Sequence, residues 1–92
     1  MAGSTHNDNY KALLAILREV RQCAEMTQEE LGKKLGNTQT FVSKLERGER
    51  RIDLVEFVEI CGACGAEPED VLRQYLVRRS KNSTLKSRSK RK

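Results

Sequence analysis

The stretch NTQTFVSKLERG at residues 37–48 gathers side chains that can make directed polar contacts. Gln39 offers a donor and an acceptor on one amide, Thr40 and Ser43 offer hydroxyls, and Lys44 and Arg47 offer positive charge. Wound as a helix at about 100° per residue, the stretch sends Val42 and Leu45 to one side. Thr40, Ser43, Lys44 and Arg47 go to the other. A polar, basic face without an acid suits the edges of base pairs and the phosphates beside them. For an isolated helix, an ordinary solvated face is the plainer alternative. Glu46 falls close to Val42, on the side expected to be dry, and a charge there calls for a partner.

No catalytic constellation accompanies this face. The one histidine, His6, stands apart in the N-terminal segment, and no nucleophile–base pair or phosphate-cradling loop is visible. A chain of 92 residues with 37% hydrophobic residues and no Trp builds a small core of Leu, Val and Ile, unable to wall off a deep cavity. The chain therefore reads as non-enzymatic and without a cofactor. Cys61 and Cys64 form a C-x-x-C, but only Cys23 and His6 could complete a zinc site, and they form no second paired motif. Both cysteines fall on an apolar helical stripe and read as small buried hydrophobes, with redox sensing or metal binding as alternatives. No apolar run approaches the roughly 20 residues that span a bilayer, and MAGSTHNDNY lacks the features of a secretory signal. The expectation is a cytoplasmic protein that contacts no membrane.

The net charge of +5 is unevenly spread. Residues 78–92 hold eight Lys/Arg and no acid, leaving ten basic against thirteen acidic side chains in the first 77 residues. The chain thus reads as a flexible N-terminus (1–8), a mildly acidic domain (9–77) and a basic disordered tail (78–92). A single-sign run of this kind attracts polyanions without regard to sequence.

The elements that must position the polar face are all helices. Tyr10, Leu13, Leu14, Leu17, Val20 and Ala24 recur at three- and four-residue steps and predict a first helix over about 9–24, with Arg21 inside the stripe. Thr27 and Glu30 make a capping box for a second helix carrying Leu31 and Leu35 inward and closing at Gly36. Gly32 within it predicts a close helix crossing. Thr38 caps the third helix, which stops at Gly48. Asp53 with Glu56 caps a fourth, whose inner stripe is expected to hold Leu54, Phe57, Val58, Cys61 and Cys64, with Ile60 adjoining. Pro68 opens a fifth, with Val71, Leu72, Tyr75 and Leu76 at helical spacing. The fold class is all-α, a compact five-helix domain. The very short joint at Gly36 forces helices 2 and 3 into the steep crossing of a helix-turn-helix.

The segment MTQEELGKKLGNTQTFVSKLERGERRIDLVEFVEICGACG closely resembles the lambda-repressor-like (Cro/repressor, or XRE) helix-turn-helix family, over roughly residues 10–77. T-Q-E-E-L, the Gly36 turn, V-S-K-x-E-x-G-x-R and D-L-V-E-F all fall at the family's spacing. Gly32 stands where Ala is usual, and Cys61 and Cys64 where Ala and Leu are common. The resemblance implies an Arg21–Glu46 ion pair bracing helix 3 against helix 1. It implies base contacts from Gln39, Thr40, Ser43 and Lys44 in the major groove, and phosphate contacts from Thr27, Gln28, Thr38, Arg47, Arg50 and Arg51. Phe41 sits on the edge between core and groove, as half-buried packing or as an apolar contact to a thymine methyl.

One such unit reads few base pairs, so the expectation is a homodimer on a palindromic operator, with Val71, Leu72, Tyr75 and Leu76 as its interface. The implied function is transcriptional regulation, as a bacterial or phage repressor located with the nucleoid when bound. A restriction–modification controller, a DNA-binding antitoxin, and a protein-interaction module on the same fold are the alternatives. Deleting residues 78–92 is expected to weaken binding to every duplex and to flatten its salt dependence. An unchanged salt slope would show that the tail touches no phosphate.

Overall fold

The computed structural model describes residues 8–83, with side chains as far as Arg79. Five helices, and no strand among the described residues, follow in order: α1 (Asp8–Cys23), α2 (Gln28–Lys34), α3 (Gln39–Arg47), α4 (Leu54–Ala63) and α5 (Pro68–Ser83). Local chemistry sets most of the boundaries. The Thr27 hydroxyl accepts the Glu30 amide while the Glu30 carboxylate accepts the Thr27 amide, and Asp53 and Glu56 repeat that exchange. Thr38 caps α3 by accepting the Phe41 amide at 3.1 Å. Gly48 ends α3 at φ +79°, a left-handed position that a side chain would strain.

The core comprises Ile16 and Leu17 of α1, Leu31 of α2, Val42 and Leu45 of α3, Phe57, Ile60 and Cys61 of α4, and Val71 of α5. Ile16 is fully buried although it lies off the stripe read from the sequence, because other helices enclose α1 on more than one side. The stripe of α4 also differs from the expectation: Leu54 and Val58 are 73% and 45% exposed. The helix rolls toward Ile60, so Phe57, Ile60 and Cys61 form the buried arc and the two flanking residues turn outward. Burial pushes the Cys61 thiol up to about 11, so it remains a protonated core residue. Cys64 is half-buried at the end of α4, and Cys23 is exposed.

Two further expectations require correction. Val71 is only 2% exposed and belongs to the core, so it is unavailable to a dimer interface. Leu72 and Leu76, 46% and 49% exposed, remain on the outer side of α5, while Tyr75 packs partly against the core. The domain boundary expected after residue 77 is also crossed by helix, since α5 continues to Ser83. At its start Arg78 donates two hydrogen bonds, each of 3.1 Å, to the Glu19 carboxylate of α1. The remainder of the basic tail, from residue 84, lies outside the described residues, as does the N-terminal segment before Asp8. A truncation that isolates the tail should therefore begin at Thr84.

The crossing of α2 and α3 is tight at Gly32. A Cβ there would lie 2.7 Å from both the carbonyl carbon and oxygen of Thr38. Overpacking of backbone costs about 1–3 kcal/mol, against a helix-propensity gain of about 1 kcal/mol for Ala over Gly. Gly32→Ala is expected to destabilise on balance, lowering Tm by about 4–8 °C per kcal/mol lost. A higher Tm would show that the elbow can open without cost.

Candidate nucleic-acid interface

α3 is presented by a rigid elbow. The Asn37 amide donates to the Gly32 carbonyl at 2.8 Å, and the Gly36 amide to that of Lys33 at 3.0 Å. Gly36 itself takes φ +69°, which turns the chain within a few residues. Val42 and Leu45, 1% and 3% exposed, then seat α3 against the core. Gln39, Thr40, Lys44 and Arg47 are exposed and Ser43 is half-buried, so the expected base-reading residues share the outer side of one anchored helix.

Behind that face lies the charge on the dry side. The Arg21 guanidinium donates to Glu46 through Nε at 2.7 Å and Nη2 at 3.1 Å, while its Nη1 donates to the Met26 carbonyl at 2.8 Å. Gln28 Nε2 adds a bond to Glu46 Oε1 at 2.9 Å, and Arg18 Nε stands 3.6 Å from the same oxygen. The Glu46 side chain is 6% exposed and that of Arg21 11%. Burial pushes the Glu46 pKa up, but hydrogen bonds from Arg21 and Gln28 and the charges of Arg21 and Arg18 outweigh it, leaving the carboxyl below its ordinary range. The network reaches the surface: Gln39 Nε2 donates to Gln28 Oε1 at 3.4 Å. Gln28 therefore braces Gln39 from behind.

The residues expected at the phosphate backbone have distinct surroundings. The Thr27 and Thr38 hydroxyls accept amides as helix caps, at exposed positions beside the first turns of α2 and α3. Arg47 donates to both Glu49 oxygens, at 2.9 and 3.0 Å, and to the Ser43 hydroxyl. The Arg47 bond holds the Glu49 carboxyl below its ordinary range. Arg50 pairs with Glu56 at 2.9 Å and lies 4.8 Å from the Phe41 ring centroid. Arg51 lies 4.7 Å from that of Tyr10. Phe41 is half-buried and packs against the core beneath Arg50. The role of Glu49 escapes sequence reasoning, since nothing in its type or spacing selects Arg47 over the neighbouring arginines. That of Gln28 escapes because its two partners are 11 and 18 residues away.

Residues 17–71 match the family described as helix-turn-helix. Among solved structures, an XRE-family like protein from Pseudomonas syringae pv. tomato str. DC3000 is 43% identical, with a TM-score of 0.75 over 82% of this chain and 92% of that one. Two structures of the clp gene regulator ClgR from Corynebacterium glutamicum are 27% and 29% identical, with TM-scores of 0.69 and 0.70. They cover 89% and 79% of this chain, and 100% and 78% of their own. No curated protein sequence matches. The chain belongs to the XRE, lambda-repressor-like helix-turn-helix family of DNA-binding transcription regulators.

Glu46→Gln keeps the shape of the side chain but leaves the Arg21 charge buried without its counter-ion, a loss of about 3 kcal/mol. Because the folded-state pKa of Glu46 is depressed, its contribution is present above the unfolded carboxylate range and lost as pH falls through the folded value. Thermal melts at several pH values are expected to show the gap between wild type and variant narrowing below about pH 4. A gap of constant size, or none at pH 7, would remove the ion pair from its bracing role.

Proposed function

From membership of this family, we propose that the chain is a sequence-specific repressor that binds a palindromic operator as a homodimer, with α3 in the major groove. The observation that carries the reading is the braced position of Gln39. Its amide nitrogen donates to Gln28, which orients the amide plane and leaves a second N–H and the carbonyl oxygen directed by that bond. An amide so held matches the N7 acceptor and N6 donor of adenine. Thr40, Ser43 and Lys44 continue the reading surface along the helix, and Lys44 is suited to guanine. Thr27 and Thr38, with the first amides of α2 and α3, face phosphates and set the register.

Two-fold binding follows from what one unit lacks. A single recognition helix covers only a few base pairs, and half-sites one helical turn apart supply the remaining specificity. Leu72 and Leu76, with the edge of Tyr75, form the interface on α5, their exposure in the single chain being removed by a second copy. Repression needs no more than occupancy of a promoter by such a dimer. The same reading puts the protein in the bacterial cytoplasm, at the nucleoid when bound.

Selection of bound duplexes from a random pool tests this directly. The expected product is a palindrome with half-sites about 10 base pairs apart, centre to centre. Gln39→Ala is expected to relax preference at one adenine-bearing position per half-site, by about 1–3 kcal/mol, while other positions stay sharp. Failure to enrich any site, or a unique half-site with no repeat, counts against the proposal.

A further inference from the structure

The segment between α3 and α4, residues 48–53, has no regular structure, so its backbone polar groups need partners from elsewhere. The buried Tyr10, in the first turn of α1, supplies two of them. Its hydroxyl donates to the Arg50 carbonyl at 3.2 Å and accepts the Ile52 amide at 3.1 Å. Those two groups flank Arg51 on either side. The guanidinium of Arg51 in turn stacks on the ring of the same tyrosine, 4.7 Å from its centroid. One side chain thus grips Arg51 by its backbone and by the face of its side chain.

The neighbouring arginines are committed differently. Arg50 donates to Glu56 and to the Arg51 carbonyl, each at 3.0 Å, and covers Phe41. Arg47 is closed by Glu49. The Arg51 guanidinium donates no hydrogen bond among the described residues, and a guanidinium stacked by its face keeps its N–H donors along the edge for an incoming oxyanion. A side chain held in place beforehand also loses less conformational freedom on binding.

We propose that Arg51 is the pre-organised ligand for a DNA phosphate among the three arginines following the core of α3, and that Tyr10 is its positioning residue. The inference rests on the DNA-binding reading and divides labour within it. Arg50 serves as a latch between Phe41 and Glu56, whereas Arg51 meets the phosphodiester. Tyr10 never touches the nucleic acid, and its effect runs through Arg51.

The test measures affinity and its salt dependence, between about 50 and 200 mM, for wild type, Tyr10→Phe, Arg51→Ala and the double variant. Each is titrated with the selected duplex and with an unrelated duplex of equal length. Phe retains the ring and removes the hydroxyl alone. Arg51→Ala is expected to reduce the magnitude of the salt slope by about 0.9 on both duplexes, the loss of one phosphate contact. Tyr10→Phe is expected to weaken binding roughly three- to tenfold on both, and by less than about twofold once Arg51 is gone. Wild-type affinity in Tyr10→Phe, or an equal loss in both backgrounds, overturns the inference while leaving DNA binding intact. Absence of binding by the wild-type chain to either duplex overturns both. Should the Phe variant not fold, Arg51→Lys, which keeps the charge but lacks the planar face, carries the test. It is expected to fall to near the Arg51→Ala affinity, and wild-type affinity in it is the overturning result.

Discussion

One buried carboxylate joins three helices. Glu46 projects from α3 into the layer beneath it and receives Arg21 from α1 and Gln28 from α2. A charge at that depth is tolerable only when its hydrogen bonds are complete, and each bond restricts where the helices can stand. Arg21 also donates through Nη1 to the Met26 carbonyl, tying the turn before α2 into the same arrangement. Apolar contacts alone would let α3 slide or roll by a fraction of a turn at small cost, because hydrophobic burial is non-directional. The ion pair does not permit this. The orientation of the outer face of α3 is therefore decided on its inner face.

That coupling explains the division along the recognition helix. Val42, Leu45 and Glu46 fix one side, and whatever is a half-turn away must point outward together. Gln39 stands between the two regions, exposed yet bonded to Gln28, which is bonded to Glu46. A continuous set of polar contacts thus links a buried charge to the outer face of α3. Phe41 lies on the other edge, and there the arrangement is apolar: its ring rests against the core and carries the Arg50 guanidinium above it. The two edges are held by different forces, one directional and one by area.

What was legible in the sequence was what local chemistry decides. Thr27 with Glu30, Asp53 with Glu56, Thr38, and the glycines at 36 and 48 act within one turn of the backbone they terminate, so their residue types announce them. The helix-turn-helix was legible for the same reason, and the resemblance pointed to the residues of the α3 face. Illegible were the properties set by what packs alongside. Ile16 is enclosed because neighbours meet on α1, Leu54 and Val58 are exposed because α4 rolls toward Ile60, and Val71 is interior because α5 presses its first turns on α1 and α4. Past residue 77, α5 also meets a partner 59 residues away, Arg78 pairing with Glu19. Periodicity cannot report such distant choices. Arg47, Arg50 and Arg51 were likewise equivalent by type, and only their partners separate them.

Their separation matters because the first 77 residues carry more acidic than basic side chains. A body of that charge exerts no net attraction on a polyanion at distances beyond the Debye length, about 8 Å at physiological salt. Positive charge at the interface must therefore act by placement, at short range, where the screened field of the whole domain is weaker than one well-directed guanidinium. Glu49 and Glu56 sharpen this requirement, since each neutralises an arginine within the same short stretch. Local neutralisation lowers sequence-blind attraction to any duplex and leaves a larger share of the binding free energy to contacts that need correct register. The C-terminal run of eight Lys/Arg over residues 78–92, with no acid among them, carries charge of the opposite sign to this body. The acidic residues beside α3 thus weight the interface toward contacts that depend on register rather than on bulk charge.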